Sequence, residues 1–136
     1  GGGGNTNPYG RKEAHKIDLP PLPKQRELKT WLVNVRQIVA SASINSEATI
    51  PWFMEAENTS ATMESLANPG SEFDSLDTKL AMAVMVLTQR RMEPEHSRLV
   101  SQIHFAADQA HQRGKPMRGR QLVLLIVQRD AVSWGI

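Results

Sequence analysis

The chain has no cysteine at all. Disulfide bonds, a cysteine nucleophile, iron–sulfur clusters and cysteine-ligated zinc are therefore excluded. It also has no run of about 18 apolar residues, so no membrane-spanning helix is expected. The longest apolar run, residues 122–127, suits a buried helix instead. No N-terminal stretch joins a basic start to an apolar segment, so no secretory signal is visible. The expectation is an intracellular, cytoplasmic protein. Catalytic motifs are equally scarce. The sequence contains no Gly-x-Ser-x-Gly elbow, no His-Glu-x-x-His helix and no Gly-x-x-x-x-Gly-Lys-Ser/Thr loop. The glycine run at residues 1–4 lacks the strand–loop–helix setting of a phosphate cradle. The pairs Glu55/Glu57 and Glu93/Glu95 stand two apart. On a helix that spacing makes the carboxylates diverge, so neither pair can share a substrate proton. No catalytic residue, cofactor or metal is expected, and the chain reads as a non-enzyme.

What the sequence does contain is a globular composition of 40% hydrophobic and 22% charged residues. At 136 residues it is long enough to bury one core, and a single domain is the default. The net charge of +2 conceals blocks. Residues 11–36 hold seven basic and three acidic side chains, residues 47–77 hold seven acidic and no basic ones, and residues 90–120 again hold seven basic and three acidic. Opposite blocks in one small domain suggest complementary faces, either within the fold or between copies. The plainer alternative is solvated surface of unequal sign.

Residues 17–43 are the most informative stretch. Pro20, Pro21 and Pro23 impose an extended strap, because each proline fixes φ and disfavours helix in the residue before it. Leu28, Trp31, Leu32, Val35, Ile38, Val39 and Ala42 then recur at three- and four-residue intervals, the buried face of a helix over about 25–43. A second helix is expected over about 51–57, with Pro51 in its first turn, where its missing N–H is harmless. One or two helical turns over 59–67 follow, then the turn Asn68-Pro69-Gly70. Ser71-Glu-Phe-Asp resembles a capping box. It opens a helix with Phe73, Leu76, Leu80, Val84 and Leu87 inward and Ala81 to Val86 widening the stripe, expected to be central and buried on most sides. Pro94 starts a fourth helix, with Leu99, Val100, Ile103, Ala106, Ala107 and Ala110 as its apolar face. Gly114-Lys115-Pro116 stops it. The last helix spans about 118–132, packing through Leu122, Leu125, Ile126 and Val127, with Trp134 over the end of the bundle. The fold class is all-α, a single small bundle of about five to six helices. Its organisation is a flexible arm and proline-rich strap over 1–24 and a helical domain over 25–136.

Few side chains suggest ligand chemistry. His104 and His111 lie seven apart with Asp108 between them, a spacing that allows one helix face but lacks a full ligand set. The plain reading is the polar face of an amphipathic helix. Methionines and Trp31 and Trp52 read as core before binding surface. The strongest electrostatic feature is residues 113–120. There Arg113, Lys115, Arg118 and Arg120 surround a glycine- and proline-broken turn at a helix start, an arrangement able to contact phosphate. No aromatic residue interleaves them, so base-specific reading of a single strand is not expected.

Several segments together resemble a known family. They are Arg11-Lys-Glu-Ala, Lys16-Ile-Asp-Leu-Pro-Pro-Leu-Pro, Trp31 with Val35-Arg36 and Val39-Ala-Ser-Ala-Ser, Glu72-Phe-Asp-Ser-Leu-Asp-Thr-Lys-Leu-Ala, Gly114-Lys-Pro-Met-Arg-Gly-Arg-Gln-Leu, and Leu124-Leu-Ile-Val. In that order, over about 11–128, they resemble the Gag-like N-terminal region of copia-type retrotransposon polyproteins. Pro51 and residues 129–136 depart from that pattern. The resemblance implies a helical capsid-like domain that assembles with its own copies around RNA. The expected function is thus a structural domain acting through protein–protein association, with itself or with other subunits as partner. The expected interface residues are Leu19, Pro20, Pro21, Leu22 and Pro23 of the strap with Glu55 and Glu57. Two alternatives stay open: a small helical accessory subunit of a larger complex, and a basic module binding RNA through Arg11, Lys12, Lys16 and the 113–120 turn.

Overall fold

A computed structural model describes residues 12–90 and 93–134, the side chains of 130–134 excepted. The expected arm over 1–10, Arg11 and the Trp134 side chain lie outside the described residues. Among these described residues five α-helices, joined by turns and short 3-10 segments, account for the regular structure: α1 (Leu28–Ala42), α2 (Ser46–Met54), α3 (Asp74–Gln89), α4 (Ser97–Gln112) and α5 (Gly119–Trp134). Among the described residues there is no strand, as the periodicity predicts.

α1 buries Trp31, Leu32, Val35, Val39 and Ala42, the stripe expected from its spacing. It ends where Ser43 turns extended and its hydroxyl donates to the Ala40 carbonyl at 2.6 Å. α2 corrects the sequence reading. It starts at Ser46, because Asn45 is a true N-cap whose Oδ1 accepts from the Ala48 amide at 3.3 Å. Pro51 consequently sits inside the helix instead of in its first turn. Its ring is exposed, and burial of Thr49, Trp52 and Phe53 on the other face offsets the hydrogen bond that proline cannot make. Of the one or two helical turns expected over 59–67, a single hydrogen-bonded turn forms, the Leu66 amide donating to the Thr62 carbonyl at 3.2 Å, and side chains close the turns around it. Asn58 Oδ1 accepts from the Ser60 amide, and Thr62 and Ser65 exchange reciprocal backbone-to-hydroxyl bonds at 2.9 Å. Ser, Thr and Asn compete with the helix in this way.

The capping box expected at Ser71 does not form. Gly70, at φ +90°, caps a 3-10 turn over Ser71–Phe73, and α3 follows from Asp74. Its inward stripe of Leu76, Leu80, Val84 and Leu87 is as expected. The helix is not buried on most sides, however: Met82 and Val86 are 64% and 45% exposed. The more enclosed helix is α5, whose Leu122, Val123, Leu124 and Ile126 are all buried. It packs along α3, against α4 and against the Glu55–Glu57 turn, while α1 pairs with α2. α4 ends in a full Schellman motif. Gly114 is at φ +75°, its amide donates to the His111 carbonyl at 2.9 Å, and the Lys115 amide donates to that of Ala110 at 3.1 Å.

Residues 12–24 contain no helix, yet Ile17, Leu19 and Leu22 belong to the core. Proline brings carbonyls without N–H donors, so side chains from the bundle must supply the donors. Trp31 Nε1 donates to the Pro20 carbonyl and the buried His96 Nε2 to that of Pro23, both at 3.2 Å. Lys79 Nζ donates to the Ala14 carbonyl at 2.8 Å and pairs with Glu13. Leu19→Ala is expected to destabilise the fold by about 2–4 kcal/mol, as buried leucine deletions do. Pro21→Ala, at an exposed position, should change stability by less than about 0.5 kcal/mol. Urea denaturation of the two variants checks this; equal, small effects would mean that the strap is not part of the core.

Candidate functional site

The charged residues singled out in the sequence divide into a buried clasp and a small exposed remainder. At the centre of the clasp is Asp77, fully buried on α3. Its Oδ2 accepts from the Gly119 amide at 2.8 Å and from Arg118 Nε at 2.9 Å, and its Oδ1 from the Arg120 amide at 3.1 Å. The carboxylate thus occupies the N-terminus of α5, where helix amides lack intrahelical partners and the macrodipole favours negative charge. Gln121 completes the helix start by accepting the Arg118 amide at 2.8 Å. Position 119 has to be glycine. A Cβ there would lie 2.6 Å from the Asp77 carbonyl oxygen and 2.7 Å from Leu80 Cβ. Burial pushes the Asp77 carboxyl above its ordinary value of 3.8, opposed by the Gly119 and Arg120 amides and by the Arg118 and Arg120 charges.

The two arginines on this helix start are turned inward. Arg118 also donates to Asp74 Oδ1 at 2.9 Å. Arg120 is 2% exposed, with its guanidinium carbon 4.8 Å from the centre of the Trp52 ring. It donates to the Trp52 carbonyl at 3.1 Å, to Glu55 Oε1 at 2.7 Å and to the Asn68 carbonyl at 3.2 Å. Trp52 in turn stacks on Phe73 with centroids 4.7 Å apart and donates to the Pro69 carbonyl. Arg120 therefore ties α5 to α2 and to the 58–70 loop. Of the four cations considered as phosphate contacts, Arg118 and Arg120 are committed to these internal bonds. Arg113 and Lys115 are exposed and have no ion pair among the described residues.

The residues expected at an interface are similarly divided. Leu19, Leu22 and Pro23 are buried within the chain itself, Pro20 is half-buried, and Pro21 is exposed. Glu57 is held by Arg36 through a bidentate pair, the closest contact being 2.8 Å. Glu55 diverges from it toward Arg120 while keeping a 62% exposed side chain. His104 Nε2 lies 2.9 Å from the Thr88 hydroxyl, and Asp108 accepts from Gln112. Among the described residues no group of three His, Asp or Glu side chains is placed to hold a metal ion. No helix among them is long and apolar enough to cross a membrane.

Sequence reasoning missed the exposed apolar surface. Met82 and Val86 on α3 and Phe105 on α4, the last 67% exposed, are left uncovered by the described residues. A cleft of about 420 Å³ runs beside Met82, floored by Met85, Met117 and Leu122 and walled by His104 and His111. On the other side of Met82 a second depression, about 270 Å³, meets the strap at Ile17 and Leu19. The available signal was the widened apolar stripe of α3, which reads as burial whether its cover is this chain or another.

Two variants test the clasp. Gly119→Ala should destabilise by about 1–3 kcal/mol through overpacking of α3 on α5, measured by denaturant unfolding; an unchanged midpoint would contradict the close approach. The folded-state pKa of Asp77 is raised, so the native state holds that proton more tightly than the unfolded chain. The contribution of this group is full below 3.8 and falls as pH rises through the folded-state value, then stays flat. Wild type should therefore lose stability relative to Asp77→Asn across that acidic window and run parallel to it at neutral pH. A difference that moves the other way would contradict the assignment.

No protein-family model, curated protein or solved structure gives a significant match to this chain, so its function is argued from its own surface.

Proposed function

We propose that this chain is a non-enzymatic structural domain that acts by associating with protein, its own copies foremost, in the manner of a retrotransposon Gag capsid domain. The observation that carries the reading is the exposed apolar pair Met82 and Val86, one helical turn apart on α3, beside a cleft lined by Met85 and Met117. Contiguous exposed apolar surface rimmed by polar residues marks interaction sites, and methionine makes such surfaces adaptable. Conversion of the best cationic motif into internal bonds supports the same reading. Arg118 and Arg120 hold Asp77 and Glu55, which leaves Arg113 and Lys115 as the exposed cations of that turn.

The RNA-binding alternative keeps Arg113, Lys115, Lys12 and Lys16, all exposed, as its basis. An interaction carried by so few phosphate contacts would be weak and would weaken further with salt, with a slope set by the number of contacts. The reading of a small helical accessory subunit rests on the same apolar pair, covered by a different protein.

Size-exclusion chromatography with light scattering, at low and high salt and with or without RNA, tests the proposal. Self-association without RNA that grows with protein concentration is expected. A monomer under all conditions would overturn self-assembly, and a salt-sensitive complex formed only with RNA would replace it by the nucleic-acid reading.

A further inference from the structure

The cleft of about 420 Å³ between α3 and α4 gathers three thioethers and two imidazoles, those of Met82, Met85, Met117, His104 and His111. Met82 is 64% exposed, so it does not serve as core filler. It stands one turn before Met85 on the same face of α3, a spacing that brings two side chains together. His104 is fixed from behind. The buried Thr88 donates its one hydroxyl proton to the Met85 carbonyl at 2.6 Å. Its oxygen therefore accepts from His104 Nε2, 2.9 Å away. In the neutral ring this assigns the proton to Nε2 and leaves Nδ1 with its lone pair. Metal-binding histidines are anchored through their second nitrogen in this way. The relay ends on the backbone of Met85, so imidazole and thioether share one frame.

The donor set selects the kind of ion. Among the described residues no three His, Asp or Glu side chains are placed to hold a metal together. Ions that need oxygen ligands, and zinc with its nitrogen and carboxylate ligands, are therefore poorly served here. Thioethers are soft donors and select monovalent copper. With its imidazoles neutral, the cleft lining has one charged side chain, Asp108, whose negative sign suits a cation. His104 and His111 are seven residues apart, about 10.5 Å along the helix axis, so one ion can take only one of them. The fixed tautomer picks His104. We infer that this cleft binds a soft monovalent metal ion, Cu(I), through the Met82 and Met85 sulfurs and His104 Nδ1, with the Met117 sulfur as a further donor. Self-association is not required for the ion to bind.

Two measurements on the full chain test it. In the first, Ag(I), a redox-inert stand-in for Cu(I), is added to protein with isotope-labelled methionine methyls. One equivalent should shift the Met82 and Met85 methyl resonances and the His104 ring. Met54, exposed on α2 outside the cleft, should stay put. In the second, Cu(I) kept reduced is competed against a chromophoric chelator. Met85→Leu and His104→Gln should each weaken binding at least about tenfold. Thr88→Val keeps every proposed donor but frees the ring, and should cost about 10–100-fold. His111→Gln should leave the affinity unchanged. Circular dichroism checks that each variant is folded, and the methyl spectrum needs no variant at all. Unshifted Met82 and Met85 methyls, a Met54 shift as large as theirs, or His111→Gln weakening binding as much as His104→Gln would overturn the site.

Discussion

The buried carboxylate of Asp77 sets most of the architecture around it. Removing a carboxylate from water costs several kcal/mol unless its oxygens are well satisfied. Three donors meet those oxygens, and all three come from the first turn of α5 or the residue before it. α5 is thereby fixed in both position and axial register against α3. The contact is possible because residue 119 has no side chain, which lets backbone approach backbone where any Cβ would collide. Once this register is set, Arg118 reaches Asp74 and Arg120 reaches under Trp52 to Glu55 and the 58–70 loop. A residue pattern that looks like a phosphate-binding turn is thus the joint of a helix bundle.

The helices whose apolar residues lie on one stripe were legible in the sequence. α1 and α4 bury nearly the faces that their spacing predicts, because a one-sided stripe has one way to satisfy itself. α2 was harder. Pro51 attracted the helix start to itself, whereas Asn45, five residues before Ile50, provides the cap. The 59–67 segment has helix-compatible spacing, but beyond the one turn at Thr62–Leu66 its Ser, Thr and Asn side chains bond locally and end the helix. Asp77 itself was visible in principle. It lies four residues after Phe73 and three before Leu80, on the inward stripe of α3, where an acidic residue requires a partner.

The charge blocks illustrate what sequence leaves open. Blocks of opposite sign suggested complementary faces, within one fold or between copies. Within the fold, Arg36 meets Glu57, while Arg118 and Arg120 meet Asp74, Asp77 and Glu55, so the acidic middle of the chain is clamped from both sides. Charge identity was readable; which charges would be consumed internally depended on a register that no local pattern encodes. The same holds for α3, whose broad apolar stripe gave no indication that Met82 and Val86 would remain uncovered. The surface left for function is what remains after the core and the clasp have taken their share.

The most direct test of the clasp is native-state hydrogen exchange at the Gly119 and Arg120 amides. First-turn amides of a helix normally exchange readily, since they have no intrahelical acceptor. Bonded to a buried carboxylate, these two should instead exchange only with opening free energies close to that of global unfolding. Fast exchange at both positions in an otherwise protected bundle would contradict the account, because α5 would then be held by apolar packing alone.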